Sequence, residues 1–292
     1  MQIVSKGLTY AYNRAKDFER NALNGVDLII NEGDFFGIVG ETGSGKSTFI
    51  QHLNGLVKVQ GGELWVGDYN LAPKTKEEKK EYKKRIYSLR SKVGMVFQYP
   101  EYQLFAETVF EDVSFALKNF YKDLSIEEIT SKVKKAIEIV GLNYNEVKNK
   151  SPFDLSGGQK RRVAIAGVLV SEPEVLILDE PVAGLDPVGK KRLMSLLHTL
   201  HETGVVKTVI IVSHDMDEIL NNVNRVALFS EGKAVAVCTP KQLFESENEK
   251  ALRLGLPVTY YLKKELSKVG VELAGDLKTE DFIKEVLKNY QK

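Results

Sequence analysis

Residues Gly40-Glu41-Thr42-Gly43-Ser44-Gly45-Lys46-Ser47 spell the pattern Gly-x-x-x-x-Gly-Lys-Ser/Thr in full, and nothing else in the chain constrains the fold so strongly. The pattern works only at a strand-to-helix turn. There its backbone N–H groups curl around phosphate oxygens, and the helix start directs partial positive charge at them. The flanks meet this demand. The apolar run Phe35–Val39 precedes the loop, and a segment with Phe49, Ile50 and Leu53 at helical spacing follows it. Lys46 is then placed to reach the phosphate oxygens and Ser47 to ligate Mg²⁺, with Thr48 beside them.

A second signal is Val175-Leu176-Ile177-Leu178-Asp179-Glu180. A continuous apolar run reads as a strand buried on both faces of a parallel sheet. Two carboxylates at its end are costly unless a cation is near, and Mg²⁺·ATP supplies one. Asp179 is placed to hold the metal through water. Glu180, expected on the opposite side of the pleat, is placed to polarise an attacking water. Upstream, Leu155-Ser156-Gly157-Gly158-Gln159 offers a second helix start, with Ser156 as its cap and two glycines that permit close backbone approach.

These three strings in this order resemble the ATP-binding-cassette (ABC) ATPases over about residues 1–238. The resemblance implies a P-loop α/β core, an antiparallel β subdomain and a helical subdomain over about residues 100–172. It makes Gly40–Ser47 the Walker A loop, Val175–Asp179 the Walker B strand and Glu180 the catalytic glutamate. Ser156, Gly157, Gly158 and Gln159 belong to the signature motif, which in the family closes over the ATP of a partner. Gln98 matches the glutamine that touches Mg²⁺ and the attacking water. Asp186 matches the D-loop aspartate, His214 the switch histidine and Tyr12 the aromatic that stacks on adenine. ATP and Mg²⁺ are the implied cofactors.

Softer strings narrow the resemblance. Phe97–Phe105, Asp179–Pro187, Thr239–Phe244 and Gly255-Leu256-Pro257 are similar to the energy-coupling-factor (ECF) transporter ATPases, and Gln103–Val109 is closer to the second of their two ATPase types. That likeness implies a paralogous ATPase as heterodimer partner, a transmembrane coupling subunit and a substrate-binding membrane subunit, with vitamins or transition-metal ions as cargo. The alternatives are the ATPase of another ABC transporter or a non-transport ABC protein. The segment between Ser47 and Val175 is too short for the long coiled coil of the DNA-repair types.

Composition agrees with a cytosolic partner of membrane proteins. Net charge is +1, so no bulk affinity for nucleic acid is expected. No apolar run approaches the ~20 residues of a membrane helix. Met1–Gly7 lacks a secretory h-region, and the single cysteine, Cys238, forms no internal disulfide. The expected location is the cytoplasmic face of the membrane, with another chain spanning it. Lys74–Lys92, rich in both charge signs, reads as a solvated helix or loop. Ser125–Glu128 has capping-box form, Asp186-Pro187 opens a helix, and Val226–Phe229 and Ala234–Val237 flank a hairpin turn. Beyond about residue 239, apolar positions such as Leu243, Phe244, Leu252, Leu262, Leu266 and Phe282 recur at helical spacing. They predict a C-terminal helical extension, residues 239–292, and the ECF resemblance implies that it serves dimerisation.

Overall fold

The structure, a computed structural model, describes residues 1–12, 20–245, 253–273 and 278–290. Its centre is a six-stranded sheet of order β10-β9-β3-β8-β7-β6. The strands are β3 (Phe35–Gly40), β6 (Val93–Val96), β7 (Val175–Asp179), β8 (Thr208–Val212), β9 (Arg225–Ser230) and β10 (Lys233–Cys238). All neighbours run parallel except the β9–β10 hairpin. Strands β3, β6, β7 and β8 are buried along almost their whole length. This is why they read as unbroken apolar runs rather than as alternating ones. The hairpin turns at Glu231 and Gly232, both with positive φ (52° and 76°), the geometry of a tight two-residue connection.

A four-stranded antiparallel sheet, β2-β1-β4-β5, lies beside it, built from β1 (Ile3–Tyr12), β2 (Arg20–Ile30), β4 (Gly61–Val66) and β5 (Tyr69–Asn70). Between the two sheets, α1 (Lys46–Leu53) buries Phe49, Ile50 and Leu53.

The helical part is α3 (Val109–Phe120), α4 (Ile126–Ile139), the short α5 (Tyr144–Val147) and α6 (Gly157–Leu169). Capping boxes at Thr108, Ser125 and Ser156 fix the starts of α3, α4 and α6. α4 stops at Gly141, which has φ 73°. The charged stretch forms α2 (Lys76–Lys92), capped by Thr75, with few buried residues. α7 (Pro187–Glu202) and α8 (Met216–Asn222) flank the central sheet.

Among the described residues the extension shows α9 (Pro240–Glu245), α10 (Val258–Lys268) and α11 (Thr279–Tyr290); Leu252 lies outside the described residues. Leu243, Phe244, Tyr260, Leu273 and Phe282 share one hydrophobic cluster with Ile219, Leu220 and Val223 around α8. Asp217 Oδ1 accepts the Val258 N–H at 3.0 Å, and Asn221 Oδ1 accepts the Thr279 N–H at 2.8 Å. Two side chains one turn apart on α8 therefore hold the amides that open α10 and α11.

Candidate active site

Register places the site. Ile38 of β3 stands opposite Val212 of β8, and Val212 stands opposite Asp179 of β7. The carboxyl ends of three adjacent parallel strands thus open at one edge, where such sheets bind ligands. Gly40, Asp179 and Ser213 emerge side by side.

The phosphate loop wraps the start of α1. Gly40 has φ 151°, and a Cβ there would meet the Phe229 carbonyl oxygen at 2.3 Å. Gly45, the cap of α1, has φ 104°, and its Cβ would meet the Ala22 carbonyl oxygen at 2.5 Å. Only glycine fits either position. Lys46 Nζ donates to the carbonyls of Gly40 (2.7 Å) and Glu41 (3.0 Å), so its ammonium lies over the loop. Burial holds the Lys46 pKa below the usual lysine range, and Glu180 and Asp179 act in the opposite direction. Tyr12 is partly exposed. Its hydroxyl lies 3.2 Å from Thr48 Oγ1, and it shares a shallow cleft of about 210 Å³ with Gly43, Gly45, Lys46, Ser47 and Thr48. The neighbouring Tyr10 packs inward against His52 and the core.

Asp179 accepts a hydrogen bond from Ser47. Burial nevertheless raises its carboxyl above the usual range, and the adjacent Glu180 raises it further. An anion at that position wants a cation. The Ser47 hydroxyl and the Asp179 carboxylate are the hard oxygen donors that magnesium takes, so the donor set fits the ion. Gln98 follows the end of β6 at Val96, next to Tyr99, whose φ is 56°.

Glu180 departs from the expected pleat. β7 ends at Asp179, and Glu180 adopts a left-handed conformation (φ 50°), its N–H donating to the Val212 carbonyl at 2.9 Å. A non-glycine residue held at positive φ is a local strain that surrounding contacts must impose. Here the strain aims the carboxylate at His214, whose Nδ1 lies 2.8 Å from Glu180 Oε2. The glutamate side chain is 15% exposed and the histidine 72%.

The signature residues stand elsewhere. Ser156 caps α6, and Gln159 Oε1 returns a bond to the Ser156 N–H at 3.0 Å. A Cβ added to Gly157 or Gly158 would meet nothing within 4 Å. Ser156 and Gly158 line a cleft of about 810 Å³ together with Asp186 and Gly189, separate from the cleft of Lys46 and Ser47. Asp186 caps α7, its Oδ1 accepting the Gly189 N–H at 2.7 Å.

Two side chains escaped the sequence reading. Arg161, 5% exposed, donates to Glu101 and to the carbonyls of Pro181 and Ala183. It joins the signature helix to the segments after Gln98 and Glu180. Lys190 reaches Asp215 at 2.9 Å. Both sit in basic runs (Lys160–Arg162 and Lys190–Arg192) that give no hint which member turns inward. In the segment after Gln98, Tyr99, Tyr102 and Phe105 are exposed, whereas Leu104 is buried in the core, where it packs among the helices.

A family model described as ABC transporter matches residues 23–183. The energy-coupling factor transporter ATP-binding protein EcfA2 of Clostridium tetani is 44% identical over 290 residues, 99% of this chain and 97% of that protein. EcfA2 of Clostridioides difficile is 43% identical over 291 residues, again 99% and 97%. Among solved structures, cbiO1 of Clostridium perfringens, described as part of the ABC transporter complex cbiONQ, superposes with TM-score 0.71 at 34% identity, covering 92% of this chain and 96% of that one. A dimeric ATP-binding cassette in a post-hydrolysis state with ADP and Pi gives TM-score 0.69 at 29% identity, covering 82% and 98%. The chain belongs to the ATP-binding-cassette transporter family, within its energy-coupling-factor branch of ATP-hydrolysing subunits.

Proposed function

We propose that this chain hydrolyses Mg²⁺·ATP at the edge formed by β3, β7 and β8 and thereby drives an ECF importer for vitamins or transition-metal ions. The observation that carries the reading is the Glu180–His214 contact at 2.8 Å, beside the buried Asp179 and the phosphate loop. In this reading Gly40–Thr48 cradles the phosphates, Lys46 neutralises them and Tyr12 stacks on the base. Ser47, Asp179 and Gln98 hold Mg²⁺, which when bound offsets charge on the phosphoryl group being transferred. Glu180 polarises the attacking water, and His214 holds the Glu180 carboxylate and meets the terminal phosphate.

Residues 1–238 form the nucleotide-binding domain, with its helical part over about 100–172, and 239–292 form the extension. The change from strand to helix at Thr239, between Cys238 and Pro240, supports this division. Separate clefts for the phosphate loop and for Ser156–Gln159 support closure by a second ATPase packed head to tail, each signature motif covering the other's ATP. Open space at Gly157 and Gly158 supports it too, because this chain's own packing leaves that face free. Likeness to EcfA2 favours a paralogous partner, giving a heterodimer on the cytoplasmic face under a coupling subunit and a substrate-binding subunit. No described helix is long and apolar enough to cross a membrane.

Glu180→Gln tests the reading. Turnover should fall roughly a hundredfold or more while ATP still binds, since the amide is a poor proton acceptor. Unchanged hydrolysis in the variant would overturn it.

A further inference from the structure

His214 sits in a short loop between β8 and α8, and its side chain is largely exposed. Its one polar contact among the described residues, with Glu180, does not by itself fix where the imidazole stands, because an exposed ring in a loop keeps much of its freedom. The loop backbone must therefore be held by its neighbours. Ser213, fully buried, donates its N–H to the Ile38 carbonyl at 3.2 Å. Its Oγ donates to Glu218 Oε2 at 2.6 Å and accepts the Asp215 N–H at 3.1 Å. Asp215 uses both carboxylate oxygens: Oδ1 accepts the Glu218 N–H at 3.1 Å and Oδ2 accepts Lys190 Nζ at 2.9 Å.

Lys190 is the outer end of this chain of bonds and belongs to a different element. It lies in the first turn of α7, and its own N–H donates to the Asp186 carbonyl at 2.9 Å. One residue thus touches the Asp186 turn through its backbone and the His214 loop through its side chain. We propose that Lys190 is a positioning residue that ties the switch-histidine loop to the Asp186 turn, so that the two move as one body. The inference rests on the ATPase reading above. It extends that reading by giving the two site segments a fixed mechanical link within one chain.

The pair is ionised. Burial raises the Asp215 carboxyl, but hydrogen bonds from Lys190 and from backbone amides more than offset this and leave it below the usual range, while Asp215 raises Lys190. Both side chains are partly exposed, 43% and 30%, and ion pairs of that kind contribute little to folding. Loss of the pair should therefore appear in turnover and not in stability. A shift of the imidazole by a fraction of an ångström disturbs the 2.8 Å contact with Glu180.

The test uses the full-length chain in the assembly it forms with its membrane partners. Lys190→Met keeps the aliphatic stem and removes the charge. It should lower kcat roughly tenfold, leave KM for ATP within about twofold and leave Tm unchanged. Lys190→Arg keeps the charge-assisted bond to Asp215 and should retain most of kcat. A wild-type kcat in Lys190→Met, or an equal loss in Lys190→Arg, would overturn the link. A parallel fall of kcat and Tm would also overturn it, since that marks a structural role. A wild-type protein without ATPase activity would instead overturn the functional reading, so the two failures are distinguishable.

Discussion

At the residue scale, the site is made of side chains that accept unfavourable conformations or environments. Gly40 shows the steric side. Its positive φ and its 2.3 Å approach to the Phe229 carbonyl leave no room for a methyl group. Gly40→Ala is expected to lower stability by about 2 kcal/mol or more and to abolish nucleotide binding, measurable by urea denaturation and by titration with ATP. Glu218 shows the electrostatic side. Burial raises its pKa from 4.5 to about 7, and its buried Oε1 has no hydrogen-bond partner among the described residues. Between those values the folded protein holds a proton that the unfolded chain releases. Stability should therefore decline as pH rises through this window, with the full loss reached above about pH 7. The difference of roughly 2.5 units corresponds to about 3 kcal/mol. Glu218→Gln cannot titrate, so its Tm should vary less than that of the wild type between pH 4.5 and 7. An identical slope in the two proteins would show that another group is responsible.

At the scale of elements, Arg161 on α6 links the helical part to the segments that follow Gln98 and Glu180. Its guanidinium bridges Glu101, in the turn after Gln98, to the carbonyls of Pro181 and Ala183. Removing one partner of a buried charge pair leaves the other charge and several carbonyls without donors. Arg161→Met is expected to destabilise the chain by roughly 3 kcal/mol in denaturant melts. Arg162→Met offers a control, because Arg162 forms no ion pair with the described residues, and its effect should be small. The placement of these arginines illustrates what periodicity leaves open. Ser156 announces the start of α6 by its capping pattern, but which face of an evenly polar, basic first turn meets the neighbouring loops depends on those loops.

At the scale of the whole molecule, two surfaces bear on assembly. Tyr102, 85% exposed, and Phe105, which packs edge-on against Phe115 at 4.9 Å, stand out from the segment after Gln98. Aromatic side chains left in water suit anchoring to a partner. Tyr102→Glu combined with Phe105→Glu should release the membrane subunits with Tm unchanged, as read by copurification and a thermal melt. The C-terminal extension does more than await a partner, since Leu243, Phe244, Tyr260, Leu273 and Phe282 are buried in the main hydrophobic cluster and α8 holds the Val258 and Thr279 amides. A chain ending at Cys238 would expose that surface. It is expected to lose at least about 3 kcal/mol, because each large apolar side chain contributes about 1.5–3 kcal/mol on burial. An unchanged urea midpoint would show the extension to be independent of the core.

The nucleotide-binding strings, the buried parallel strands, the helix starts capped by Ser125, Ser156 and Asp186 and the β9–β10 hairpin were legible in the amino-acid sequence. Each is a local matter, set by residues a few positions apart: glycines where φ must be positive, apolar runs where both faces are covered, and Ser, Thr or Asp where helix amides need an acceptor. Strand β4 was not legible, because Gly61 and Gly62 open it and it is short. The left-handed turn of Glu180, the burial of Leu104, the inward side of Arg161, the reach of Lys190 to Asp215 and the docking of the extension on α8 were decided only by the tertiary structure. Every one of them depends on a residue distant in the chain: Val212 accepts the Glu180 amide, Asp215 lies 25 positions from Lys190 and Asp217 lies 41 from Val258. Contacts of that range leave no periodic trace in the sequence, because they arise where separate elements meet and not from the spacing within any one of them.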